Sequence, residues 1–179
     1  LGSGQFDAFR ELCSALLNDL KGSAQSPSVK RMFIQLTMLI PQVDSAPEIS
    51  IQIGRDLVDN YGAFNSSAKL DLGTCLYRGR KFQEAAYILA EAAEQLERQG
   101  NPAEQPDLAN ALCILAMSRH QLEHRFQANR ILEQSLEIDE NLPSDISWYI
   151  LVPLQVLQRE ARGLIQDGPI GREKQTGVP

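Results

Sequence analysis

The apolar positions of residues 72–96, LGTCLYRGRKFQEAAYILAEAAEQL, trace two helical stripes joined by a turn at residues 78–81. In the first stripe Leu72 and Leu76 lie four apart and share a face, with Gly73 leaving a gap beside them. In the second, which runs from about Lys81 to Gln99, Ala85, Leu89, Ala92 and Ala93 recur at i, i+4, i+7 and i+8. Small residues on facing helices let two backbones approach before larger neighbours interlock. Gly73 and Ala85 are therefore expected at a buried helix–helix contact.

The same period runs through the rest of the chain. Phe6, Phe9, Leu12, Cys13, Leu16, Leu17 and Leu20 predict a helix over residues 5–21, stopped by Gly22. Val29, Met32, Phe33, Leu36, Leu39 and Ile40 predict another over 28–40, ended by Pro41. Ser45 and Glu48 read as a capping box with Pro47 in the first turn of a helix reaching about residue 61, where Gly62 stops it. Beyond the central pair, residues 100–106 read as a surface loop, and Asp107 as the cap of a helix over 108–122. A partner helix over 126–138 carries Ala128, Ile131, Leu132, Ser135 and Leu136. Ser144 is expected to cap a last helix over 145–165, with a kink or break near Leu151 caused by Pro153. The expected fold is all-α, with about eight helices.

Two of these units are in register. Aligning Ala85 with Ala128 sets Leu72 and Gly73 opposite Leu115 and Ala116, and Leu89 opposite Leu132, at an offset of 43 residues. Together with Leu76, Phe82 and Ala92, these positions resemble the tetratricopeptide repeat, a helix–turn–helix of about 34 residues. The clearest repeats are residues 66–99 and 107–140, with 145–165 as a capping helix. The resemblance implies a right-handed α–α superhelix of such hairpins over residues 5–166. Residues 47–58 read as the second helix of a further repeat. Residues 1–4 read as a vector scar or a cut end, and 167–179 as a disordered tail.

A longer run of matches, in order, resembles the repeat region attached C-terminally to planctomycete-type serine/threonine protein kinases. Its pieces are Phe9-Arg-Glu-Leu-Cys13 with Leu16-Leu17, then Leu39-Ile-Pro41, then Leu70-Asp-Leu-Gly73 with Leu76-Tyr-Arg-Gly79, Phe82 and Glu84-Ala85. Leu115-Ala-Met117, His120-Gln-Leu122 and Ala128 follow, and Trp148, Leu157, Arg159-Glu-Ala161 and Leu164-Ile165 close the series. The family usually has Gly where this chain has Glu123. The resemblance implies an accessory, protein-binding region of a bacterial signalling protein. It implies no kinase activity, because the Gly-rich nucleotide loop, the His-Arg-Asp stretch and the Asp-Phe-Gly triplet are all missing.

Composition narrows the function further. At 179 residues the chain is long enough for one sizeable core. Its net charge of −6 lacks the clustered Lys and Arg of a nucleic-acid surface. With no apolar run long enough to span a bilayer and no signal peptide, a cytoplasmic setting is expected. Cys13, Cys75 and Cys113 each sit in an apolar helical pattern and read as core residues in a reducing compartment. His120 and His124 are four apart but lack further ligands, so neither metal nor cofactor is expected. No nucleophile–base pair or tuned carboxylate pair suggests catalysis.

Binding is the better reading. First helices of stacked hairpins line the concave side, where their non-core positions meet a ligand. Here those are Leu70, Thr74, Tyr77 and Arg78 in one repeat and Asn110, Cys113, Met117, His120 and Gln121 in the next. Arg78, the one basic residue of fixed charge among them, is the expected electrostatic anchor for a protein or peptide partner. The opposing expectation is that terminal helices fold over this surface and bury it. A non-catalytic interaction module, monomeric rather than homodimeric, leads. A structural or self-associating spacer comes second, and a small-molecule sensor third.

Overall fold

A computed structural model describes residues 29–31, 34, 47–62, 65–143 and 145–166, with Trp148 and Tyr149 described by backbone alone. The predicted helix over 5–21, Cys13, the Ser45 cap and the two chain ends fall outside these residues. Among them the structure is all-helical, with no strand. The α-helices are α1 (Pro47–Tyr61), α2 (Ser66–Arg78), α3 (Phe82–Gln99), α4 (Gln105–Gln121), α5 (Arg125–Glu140) and α6 (Trp148–Ile165). Residues 29–31 and 34 are helical too, within the predicted helix over 28–40.

Caps explain several boundaries. Asn65 opens α2 by accepting a hydrogen bond from the Ala68 N–H at 2.8 Å. Gly100 closes α3 in the left-handed conformation at φ 59°, donating its N–H to the Leu96 carbonyl. The expected loop over 100–106 is shorter than predicted. Asn101 accepts from the Ala103 N–H, Pro102–Glu104 forms a 3-10 turn, and α4 starts directly at Gln105. Asp107 is consequently inside the first turn, not a cap, and its carboxylate accepts from the Ser67 hydroxyl at 3.0 Å. The last helix also starts later than predicted, at Trp148 after Ser147. Pro153 then falls in its second turn, where it removes one ladder hydrogen bond, and the helix continues through it unbroken.

Consecutive helices pack pairwise, α1 on α2, α2 on α3, α3 on α4 and α4 on α5. In addition α4 touches α2, and α6 lies against both α4 and α5. The helix pairs α2–α3 and α4–α5 share one turn at the 43-residue offset. In the first, Arg80 N–H bonds the Tyr77 carbonyl and Lys81 N–H the Leu76 carbonyl, at 3.0 and 2.9 Å. In the second, Glu123 bonds His120 and His124 bonds Arg119, both at 2.9 Å. Both are Schellman closures, and in both a non-glycine residue takes the left-handed position, Arg80 at φ 61° and Glu123 at φ 64°. Glu123 thus occupies a left-handed site in the second turn as Arg80 does in the first.

The core contains the predicted stripe. Leu72, Leu76, Ala85, Leu89, Ala92, Leu115, Ala116, Ala128 and Leu132 are buried, and Phe82 is half-buried against Tyr77, ring centroids 5.7 Å apart. Gly73 faces Leu89 so closely that a β-carbon would meet its side chain at 2.5 Å. Two close approaches were not evident from the pattern. A β-carbon on Gly54 would sit 3.0 Å from the Leu72 backbone, and one on Gly79 would strike Ile51 at 2.8 Å. Gly79 ends α2 at an ordinary φ of −76°, so it is small for the sake of α1, not for the turn.

Candidate functional site

The residues expected to line an open groove lie on one face each of α2 and α4, and that face is filled by the chain itself. Leu70, Thr74, Tyr77, Asn110, Cys113 and Met117 are buried. Of the nominated set, His120 is half-buried and Gln121 alone is exposed. Buried polar atoms need partners, and here the fold supplies most of them. The Thr74 hydroxyl donates to the Leu70 carbonyl of its own helix, and the Tyr77 hydroxyl reaches the Met117 sulfur at 3.5 Å. Burial pushes the Tyr77 phenol up to about 12, with Glu160 adding to the rise and Arg78 opposing it. Asn110 keeps a carbonyl oxygen with no hydrogen-bond partner among the described residues.

Arg78 is not an open anchor. Its two terminal nitrogens hold both carboxylate oxygens of Glu160 on α6, at 2.5 and 2.7 Å, and its side chain is 8% exposed. The guanidinium also lies over the Tyr77 ring, 5.4 Å from its centroid. Expecting Arg78 to wait for a partner is therefore wrong, since its fork is used within the fold. The reason is that α6 packs across α4 with Leu154, Leu157 and Ala161 buried, which brings Glu160 over the end of α2.

At the other end of this face the charges reverse. Asp71 and Asp107 flank Arg31, which lies 3.3 Å from the first and 3.5 Å from the second. Asp71 is 1% exposed, and burial pushes its carboxyl up to about 7. Arg31 opposes that shift and the neighbouring Asp107 adds to it. Ionic proximity thus loses to desolvation at this site.

Ordinary chemistry finds little to work with. The Cys113 thiol, 3.1 Å from the Ser135 hydroxyl, is pushed up to about 11 by burial, so it is protonated at neutral pH. Ser135 in turn donates to the Ala109 carbonyl, tying α5 to α4. Burial and the nearby Arg125 lower the His120 imidazole, which favours its neutral form. His124 lies past the end of α4, as the N-cap of α5. No cluster of His, Cys, Asp or Glu suited to a metal occurs among the described residues.

The opposite side of α4 carries an unfilled surface. One depression of about 570 Å³ lies over the buried Leu112 between α3, α4 and α5, and a second of about 240 Å³ over the buried Leu115 between α4 and α5. The two share Gln134 and are walled by Ile138 and Ile131 of α5. Arg119 and Arg130 border the smaller one, and Glu97 and Glu137 the larger. Phe126 stands at the cationic end, 81% exposed, the most exposed large apolar side chain among the described residues. None of these four charged side chains is in an ion pair among the described residues.

Reading the inner face from the sequence missed Arg31, Asp71 and Glu160, which need the tertiary fold to meet. The outer groove did leave one signal, because Phe126 lies off the Ala128–Ile131–Leu132–Ser135 stripe. Set against protein-family models, curated proteins and solved structures, the chain matches none of them.

Proposed function

We propose that this chain is a non-catalytic protein-interaction module, built as a right-handed α–α superhelix of tetratricopeptide-like hairpins. Two features support the architecture. The α2–α3 and α4–α5 turns repeat bond for bond at one offset, and α4, the first helix of its pair, also contacts α2, the first helix of the other. The observation that carries the function is Phe126 standing exposed beside the depression over Leu115 and Ile131, with Arg119 and Arg130 in no ion pair among the described residues, while Arg78 on the inner face is held by Glu160. Exposed aromatic and arginine side chains around apolar pockets are typical of protein-binding hot spots. The docking surface is thus moved from the concave face to the outer one. In this reading the module serves a larger bacterial signalling protein in the cytoplasm and takes a protein partner without cofactor.

The test is capture of partners by the immobilised chain from a lysate of the source cell, alongside light scattering of the chain alone. Partners retained at stoichiometric amounts by a monomeric chain are the expected result. A mass that doubles with concentration, with nothing captured, would establish the self-association reading instead.

A further inference from the structure

The two depressions on the outer face are collinear with α5, and their charges are sorted. Arg130 and Arg119 lie at one end and Glu137 and Glu97 at the other, around the apolar floor of Leu112 and Leu115. Arg130 and Glu137 are seven residues apart on one helix, roughly 10 Å at the α-helical rise. On the inner face Arg78, Asp71 and Asp107 each lie beside an opposite charge from the chain itself. Here none of the four is paired among the described residues, so these residues leave the groove a charge pattern without a complement.

We infer that the α3–α4–α5 groove docks an amphipathic helix of another protein, one that carries an acidic residue at i, large apolar residues at i+3 and i+4, and a basic residue at i+7. The inference rests on the interaction-module reading and specifies its partner. The backbone groups of the lining helices are used within those helices, so they offer an extended peptide no ladder of backbone partners, only scattered side chains such as Gln127 and Gln134. An extended segment would bury unpaired N–H and C=O groups against Leu112, Leu115 and Ile131. A helix satisfies its own backbone and needs only side-chain complementarity. One helical span from i to i+7 matches the charge separation on α5. The acidic end sits at Arg119 and Arg130, which makes it the N-terminal end, because an acid at the N-terminus and a base at the C-terminus also suit the partner's own dipole. Phe126 then closes over the apolar side chains from that end.

The experiment uses a displayed library of alanine-based helical peptides in which positions i, i+3, i+4 and i+7 are randomised. Selection on the full chain is expected to enrich Asp or Glu at i, Leu, Ile, Met or Phe at i+3 and i+4, and Lys or Arg at i+7. Selection on the Arg119→Glu/Arg130→Glu variant, after a thermal melt shows it folded, should invert the preference at i alone. The winning peptide should lose about tenfold or more in affinity for that variant. Should that pair of changes perturb folding, Glu137→Lys, at an exposed position, reads the other end by inverting i+7. Enrichment no greater than on an unrelated helical protein, or winners indifferent to these changes, overturns the inference. Partners captured from lysate equally well by wild type and the charge variants would leave the module reading standing while removing this site from it.

Discussion

The two sides of α4 handle charge in opposite ways. Toward α2 and α6 the ionic groups are buried or half-buried and matched from within, Arg78 by Glu160 and Asp71 and Asp107 by Arg31. Toward the α3–α5 groove, Arg119, Arg130, Glu97 and Glu137 face solvent and one another across an apolar floor. A buried ion is held because leaving it alone costs several kcal/mol, whereas an exposed one contributes little to stability. The inner face therefore belongs to folding, and mutations there should be read as stability. The outer face is where a change of charge can alter binding without unfolding the chain.

The largest expected effect breaks the inner side of this contrast. Arg78→Met strands Glu160, which is 21% exposed, so the loss should fall toward the lower end of the ~3–5 kcal/mol typical of a broken buried pair. Urea denaturation measures it. The double variant Arg78→Met/Glu160→Leu should recover most of that loss, since no carboxylate is then left unpaired. A single variant as stable as wild type would mean that the pair is not held as the geometry shows.

Packing gives the next effect. Gly73→Ala places a methyl group against Leu89, and overpacking of this kind costs about 1–3 kcal/mol. This was legible in the sequence, as were the helices from residue 47 to 165 and the repeat offset, because all of them follow from local periodicity. The inner face was not legible. Tyr77, Met117 and Asn110 fall at positions that face a ligand in an open array, and only the path of α6 decides that they face protein. Arg78 and Glu160 are 82 residues apart, and no local pattern couples them. Nor does local pattern show that Gly79 makes room for Ile51 while the strained turn position belongs to Arg80.

That turn offers a comparison within the repeats themselves. Arg80 and Glu123 hold left-handed backbone that costs an L-residue roughly 1–2 kcal/mol and glycine almost nothing. Glu123→Gly and Arg80→Gly should each raise stability by about 1 kcal/mol, in thermal melts, and their gains should be alike because the hydrogen-bonded closures are alike. Opposite signs would show that the two turns differ in what surrounds them.

Asp71 allows the inner face to be probed by pH. Its folded-state pKa is raised to about 7 by burial, so the native state holds a proton that the unfolded chain releases near pH 4. A raised carboxyl contributes stability that is fully present below pH 4 and lost as pH rises toward 7. Against wild type, Asp71→Asn should therefore gain relative stability steadily across pH 4–7 and level off above it, with Arg31 and Asp107 the charged groups that face it. Melting temperatures of the two proteins measured at pH 4, 5.5 and 8 would trace this difference. Parallel curves would show that Asp71 stays ionised throughout, with Arg31 outweighing the cost of burial.

The smallest expected change in stability is on the outer side. Phe126 is 81% exposed at the start of α5, so Phe126→Ala removes apolar surface that water already covers. Substitutions at such positions usually stay within about 0.5 kcal/mol. Its effect should appear in solubility and binding: fewer exposed aromatic atoms, weaker capture of partners, and an unchanged urea midpoint. Arg78→Met should show the reverse, a lower midpoint with binding retained wherever the protein remains folded. If Phe126→Ala instead lowers the midpoint as much as Gly73→Ala does, the ring packs onto the Leu115–Ile131 floor in solution and the groove is closed by its own rim. The division between an inner face for folding and an outer face for docking would then fail at the residue that marks it most clearly.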